Sequence, residues 1–503
     1  MIRMTDTFSG DRVPSKTKWF YSSVGIGRDA AYTLVSLFLM TYVQFTLGNV
    51  GGYEAKMAVI MAIIVLARIW DGVNDPMMGT IIENTHSKLG KYKPWILFGA
   101  ITNSVVLYLM FTVRPTGWWY VVFFGVFYLL WEMTFTMNDI AYWSMLPSLT
   151  SEEKQRNELT TLVSVFASVG AFAVGGLVPM LFPGDAINRF SLIALVIAAV
   201  FLISQLLLVF NAKERQRDSV AEKAKPKTSI KEMFIVIWKN RQLWWMMIVI
   251  TLYYLGSALL NAFGLNYFYF AYDYGTGGSN MFLFTVVYAV GTIVSQVIFP
   301  LLTSKFSRKQ LLSTSFIAMV IGYTALFTMG FIATLTGTPP NMLVMSVLGM
   351  FIFAGQGVFY LVLLIMVTNT IEYNEWTTGE RKESIIFASR PFAAKISSSL
   401  QALIVYVILF AGGIYSITKG ISDLEIDAEL LSLTRETVIT SANALINNAP
   451  NLTLGVTMLL VGMCLIPLAL ITLAFIIIKK KYIIDEKFYQ QMVKEIEARK
   501  NNA

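Results

Sequence analysis

Runs of roughly 20 or more apolar residues recur along nearly the whole chain, each as long as a helix needs to cross a bilayer. No other feature limits the fold so strongly. Hydrophobic residues make up 56% of the 503 positions and charged residues only 14%. Soluble domains carry about a quarter. A large soluble protein with buried helices is therefore disfavoured. A membrane β-barrel would need period-two alternation over about ten residues, and this is not seen. The fold class expected is an all-α polytopic membrane protein.

Twelve spans are read at 19–47, 57–82, 95–112, 119–148, 159–182, 189–211, 242–270, 281–303, 311–335, 341–370, 385–418 and 451–479. The longest polar break, Asn211 to Asn240, is rich in lysine and arginine and divides six spans from six. The domain reading is an arm at 1–18, a six-helix bundle at 19–211, a linker at 212–240, a second bundle at 241–479 with an outer loop at 419–450, and a tail at 480–503. Alternate loops are basic: the arm, the segment with Lys88, Lys91 and Lys93, the linker, the segment with Lys305, Arg308 and Lys309, and the tail from Lys479. The positive-inside rule then places both termini in the cytoplasm of a cell membrane. Two pseudo-symmetric six-helix halves are the plan of major-facilitator transporters, which carry substrate near the midplane.

Several classes of function drop out early. The single cysteine, Cys464, permits neither an intramolecular disulfide nor a cysteine metal cluster. The single histidine, His86, lies in a polar loop, so histidine chemistry within the membrane is excluded. The first 18 residues lack a signal-peptide core and cleavage site, so the first apolar run is expected to remain as a span. The net charge of +8 comes from basic residues scattered between spans and does not suggest nucleic acid. The segment from Ile421 to Pro450 reads either as an amphipathic helix over the outer mouth or as a partly ordered loop. The tail from Asp485 to Lys500 reads as an amphipathic helix along the inner surface.

Charges at bilayer depth are functional candidates by default. The second span holds Arg68, Asp71 and Asp75, with Asn74 beside them. On a helix Asp71 and Asp75 share a face. Together with Thr136 of the fourth span they offer hard oxygen ligands for Na+ or Li+. Alternatively a proton sits on one of two neighbouring carboxylates. Arg68 either neutralises the empty site or pairs with Asp71 to join helices. Glu132 reads as a gating or pairing residue, seven positions before Asp139. Asp139 and Trp143 lie one helical turn apart, and with Asp29 they form an acid-plus-aromatic group suited to sugar hydroxyls and an apolar pyranose face. Arg390 and Lys395 provide basic groups in the eleventh span. The basic loops are expected to latch onto Glu372, Glu375 or Asp485.

The segments ARIWDGVNDPMMG at 67–79, GKYKPWIL at 90–97 and WEMTFTMNDIAYWSMLP at 131–147, with IEYNEW, ERKESI and Lys395 in the second half, resemble the glycoside–pentoside–hexuronide:cation symporter family of the major facilitator superfamily. The resemblance covers nearly the full chain. It implies a cation site at Asp71, Asn74, Asp75 and Thr136. It also implies a sugar site at Asp29, Arg28, Asp139, Trp143 and Lys395, with Arg28 in place of the family's lysine. Other departures are Phe135 for a tyrosine, Ser164 for an arginine, Tyr360 for a tryptophan, and Arg390-Pro391 for a Gln-Thr pair. The cation site is thus retained while the sugar site is rebuilt. Arg390 either replaces the lost guanidinium or meets a uronate. Arg68, Glu132, Arg381 and Glu372 are expected in structural or gating charge pairs.

The expected function is a non-enzymatic secondary transporter that imports a sugar, glycoside or hexuronide with Na+, Li+ or H+. No cofactor is expected beyond that cation. The partners expected are the sugar, a monovalent cation and the lipid bilayer, with one copy as the functional unit and no nucleic acid. The rivals are a proton-coupled exporter of the same fold, a membrane sugar sensor that does not transport, and a polytopic membrane enzyme. The last would want catalytic acids in large aqueous loops, and the acids at Asp423, Glu425 and Asp427 have no associated metal or nucleotide motif.

Overall fold

A computed structural model describes residues 13–48, 51–150, 152–212, 230–380 and 383–501. It is built from long helices, ten of which among the described residues are long and apolar enough to cross a membrane. Two further helical stretches, Ser15–Thr46 and Tyr53–Glu83, hold the charged segments and are not among those ten. The chain divides into two compact units. The first comprises Met1–Lys225 and Tyr415–Asn447, the second Pro226–Ile414 and Asn448–Ala503.

In the first unit, α1 (Ser15–Thr33) continues through a π turn at Leu34–Phe38 into α2 (Leu39–Thr46). Then follow α3 (Tyr53–Glu83), α4 (Lys93–Met110), α5 (Trp119–Leu149), α6 (Glu153–Leu181) and α7 (Ala186–Asn211). α1 packs against α6 and α7, while α5 packs against α3 and α4. The α1–α6 crossing is close because of two glycines: a Cβ on Gly25 would lie 2.7 Å from the Val163 carbonyl oxygen, and one on Gly170 would collide with that of Ile26. Small residues let membrane helices approach until their backbones touch.

The second unit begins with α8 (Ile230–Lys239) and α9 (Arg241–Ala271). It continues with α10 (Gly277–Lys305), α11 (Arg308–Thr336), α12 (Met342–Thr378) and α13 (Glu383–Ala411). It closes with α16 (Leu452–Leu460), a π turn at Val461–Leu465, α17 (Ile466–Lys481) and α18 (Glu486–Asn501). Asn240 caps α9, its Oδ1 accepting from the Leu243 amide at 2.9 Å while its Nδ2 donates to the Thr370 carbonyl at 2.9 Å. α18, the helix expected of the tail, packs on α12. Glu486 pairs with Arg308 at 3.4 Å, Trp376 Nε1 donates to Glu495 at 2.7 Å, and Met492 is buried. Arg308 of the basic loop thus meets Glu486, an acid not among the three expected partners Glu372, Glu375 and Asp485.

The eleventh span, expected to reach residue 418, stops at Ala411. Gly413 adopts φ +66°, a left-handed conformation that ends the helix. Beyond it run α14 (Ile414–Leu431) and α15 (Arg435–Asn447). The domain expectation assigned this stretch to the second bundle, as an outer loop at 419–450. The structure instead groups Tyr415–Asn447 with the first unit. Glu425, 1% exposed, accepts from the amides of Gly184 and Ala186 at 2.7 Å each. Arg435 Nε donates to the Pro183 carbonyl at 2.8 Å, Arg114 pairs with Glu429, and the Gly48 amide donates to Ser422 Oγ at 2.8 Å. One pair of helices thereby grips the 48, 114 and 184 segments of the first unit together.

Candidate functional site

α3 and α5 bring the oxygen cluster together. Asp71, Asn74 and Thr136 are each 5–6% exposed, and Asp75 is half-buried. Thr136 Oγ1 donates to Asp71 Oδ1 at 3.1 Å and lies 3.5 Å from Asp75 Oδ1. A hydroxyl has one proton, so it serves the nearer carboxylate and presents a lone pair to the rest of the cluster. Asn74 Nδ2 is buried with no hydrogen-bond partner. Its amide is therefore not committed to a neighbour and can turn its oxygen inward. The donor set is all oxygen, which fits a hard alkali cation or a proton shared between carboxylates.

Arg68 lies on α3 and pairs with Glu132 of α5 at 3.4 Å, both side chains at most 10% exposed. Two residues expected in charge pairs, Arg68 and Glu132, thus meet each other. Removing a charge this deep from water costs several kcal/mol unless it is paired. Glu372 is half-buried near the end of α12, and Arg381 lies outside the described residues.

A second cluster joins α1 to α5. Arg28, 7% exposed, donates through Nε and Nη2 to Asp29 Oδ2 at 2.9 and 2.7 Å, and its Nη1 lies 3.3 Å from Asp139 Oδ1. Its guanidinium sits 4.9 Å from the Trp143 ring centroid and 5.2 Å from that of Tyr142. The two carboxylates keep about a third of their side-chain surface exposed, at 28% and 34%. Both therefore retain accessible acceptor oxygens beside a half-buried indole. The cluster carries two negative charges and one positive, so it stays polar without being strongly repulsive.

Sequence reasoning missed the clamp beneath this cluster. Tyr21 OH donates to the Tyr142 carbonyl at 3.1 Å, Tyr142 OH donates to the Tyr21 carbonyl at 2.9 Å, and the rings stack at 4.5 Å. The available signal was spacing: Tyr21 and Arg28 are seven residues apart on one helix face, and Tyr142 adjoins Trp143. Phe135, where a hydroxyl was expected, stacks on Trp131 at 5.2 Å and meets the tilted Tyr32 ring at 5.5 Å. Ser164 turns its hydroxyl to the Thr160 carbonyl of its own helix.

In the second unit Arg390 Nη2 donates to Tyr360 OH at 3.2 Å, and Tyr360 OH lies 3.4 Å from Tyr254 OH. Arg390 Nε is buried without a hydrogen-bond partner, and the guanidinium has no ion pair with an acid among the described residues. Lys395 is half-buried on the same helix, about 140° around from Arg390.

The fold built from these helices is that of the major-facilitator transporters. A bacterial homolog of the human lysosomal transporter Spinster, solved inward-facing and unoccupied, matches with a TM-score of 0.63 at 12% identity, over 93% of this chain and 98% of that one. The chain belongs to the MFS/sugar transport protein family, whose model matches residues 23–486, and within it to the glycoside–pentoside–hexuronide:cation symporters. The lactose permease of Lactobacillus delbrueckii subsp. bulgaricus is 28% identical over 410 residues, covering 78% of this chain and 62% of the permease. The raffinose carrier protein of Pediococcus pentosaceus is 29% identical over 404 residues, covering 77% and 61%. The chain thus spans about three-fifths of the length of these relatives.

Proposed function

We propose that the protein is a secondary active transporter, and not an enzyme, that imports a sugar or glycoside together with Na+, Li+ or H+. It does so as a single copy, with twelve spans and both termini cytoplasmic. One observation carries the reading: α5 presents Thr136 to the oxygen cluster and, three residues later, Asp139 to the Arg28 cluster. A cation at Asp71 and Asp75 would draw on Thr136 and fix that turn of α5. This positions Asp139 and Asp29 to accept sugar hydroxyls, with Trp143 against the ring. The coupling is reciprocal, so sugar should tighten cation binding by the same factor. The family and the names of the relatives support a sugar cargo, and alternating access of the two units completes the cycle.

The test is uptake into proteoliposomes across a panel of glycosides, with Na+, Li+ and pH gradients imposed one at a time. Accumulation should follow one of them. Asp75→Cys should abolish gradient-driven accumulation while sparing exchange at equilibrium. Normal accumulation by that variant, or uphill uptake with every gradient collapsed, would overturn the reading.

A further inference from the structure

α10, α11 and α12 of the second unit enclose an apolar groove of about 250 Å³. Its walls include Leu302 and Phe306 from α10, Leu311 and Ala318 from α11, and Gly355 and Val358 from α12. The cause is uneven packing. α11 and α12 lie close, with a Cβ on Gly355 only 2.8 Å from the Ser315 carbonyl oxygen and from Met319 Cγ. α10 packs on α12 and scarcely touches α11, which leaves a wedge between them.

The two hydroxyls of this wedge and the side-chain oxygen of Gln310 are already engaged. Thr314 Oγ1 donates to the Gln310 carbonyl at 3.0 Å, and Ser315 Oγ to that of Leu311 at 2.7 Å. Gln310 is taken up by the capping box of α11, its Oε1 accepting from the Ser307 amide at 2.9 Å. The groove therefore offers mainly hydrocarbon, with the Nε2 donors of exposed Gln310 left at its basic end. From Gln310 to Ala318 it runs eight residues, about 12 Å of helix. That is most of one leaflet of a hydrocarbon core about 30 Å thick.

The mouth is basic. Lys305 and Lys309, next in sequence to the lining residues Phe306 and Gln310, are exposed and have no ion pair among the described residues. Arg308 between them is committed to Glu486.

We propose that this groove holds an acyl chain of an anionic phospholipid whose phosphate meets Lys305 and Lys309. With the orientation proposed above, the lipid comes from the cytoplasmic leaflet, where anionic headgroups and basic loops attract each other. The chain fills a wedge that would otherwise deprive its walls of dispersion contacts.

The experiment is native mass spectrometry of the full chain from micelles doped with equal phosphatidylglycerol and phosphatidylcholine. Transport plays no part in it, so it stands or falls apart from the proposed function. The wild type should retain phosphatidylglycerol about tenfold over phosphatidylcholine. The double variant Lys305→Gln, Lys309→Gln should lose that preference. Ala354 of α12 also lines the groove; Ala354→Phe, which fills it, should lose both bound lipids, and Thr314→Phe serves the same purpose should Ala354→Phe fail to fold. Equal retention of the two lipids by the wild type would overturn the headgroup contact. Full retention by a folded, groove-filled variant would overturn the groove as the site.

Discussion

Two half-buried arginines within the spans use their charges differently. Arg68 is matched by Glu132 at 3.4 Å, and deleting one member of such a pair leaves an uncompensated charge. Glu132→Ala should therefore cost about 3–5 kcal/mol, read as a lowered unfolding midpoint of the purified protein. The double variant Arg68→Met, Glu132→Leu should regain most of it. Equal loss in single and double variants would show that the pair does not act as a unit. Arg390 has tyrosines around it and no acid among the described residues. If it meets substrate, it meets a negative group. Arg390→Gln should lower uptake of uronides at least about tenfold, the scale of a hydrogen bond to a charged group, and leave neutral glycosides largely unaffected. Equal losses for both would remove this role. The same two arginines show what sequence could convey. Their depth was legible because charges interrupt apolar runs. Their partners were not: the sequence left Arg68 either to neutralise the cation site or to pair with Asp71, whereas the glutamate it meets is 64 positions distant on another helix.

Helices were easier to read than their junctions. Asp71, Asn74 and Asp75 were placed together because spacing on a helix is local, and Thr136, on another helix, joined them through the long motif that carries the family resemblance. The stretch from Ile421 to Pro450 left two readings open because its stabilising partners lie far off in sequence. Glu425 answers amides some 240 positions away. There it acts on a helix start, supplying negative charge where α7 exposes unbonded amides. Arg435 supplies positive charge where α6 ends, as helix dipoles favour. Glu425→Gln keeps the shape, removes the charge and forces one amide donor group against another. It should destabilise the protein by about 1–3 kcal/mol, with α14 and α15 gaining hydrogen exchange first. Unchanged exchange in those two helices would show that the cap carries no weight.

On the scale of the whole molecule, the compact units do not follow the order of the chain. The two bundles were legible from the basic break between the sixth and seventh spans. The assignment of Tyr415–Asn447 was not, because composition says nothing about which bundle a segment joins. Severing the polypeptide after Lys225 would therefore not yield two complete folding units. The leading piece would be missing two of its own helices, and the trailing piece would carry them as a borrowed part. Expressed alone, residues 1–225 should aggregate on extraction. Co-expressed with 226–503, they should be recovered as a stable pair even with no covalent bridge at the former linker. A well-behaved leading piece on its own would show that the returning helices are dispensable. This arrangement asks the ribosome to finish more than 440 residues before the first unit can close.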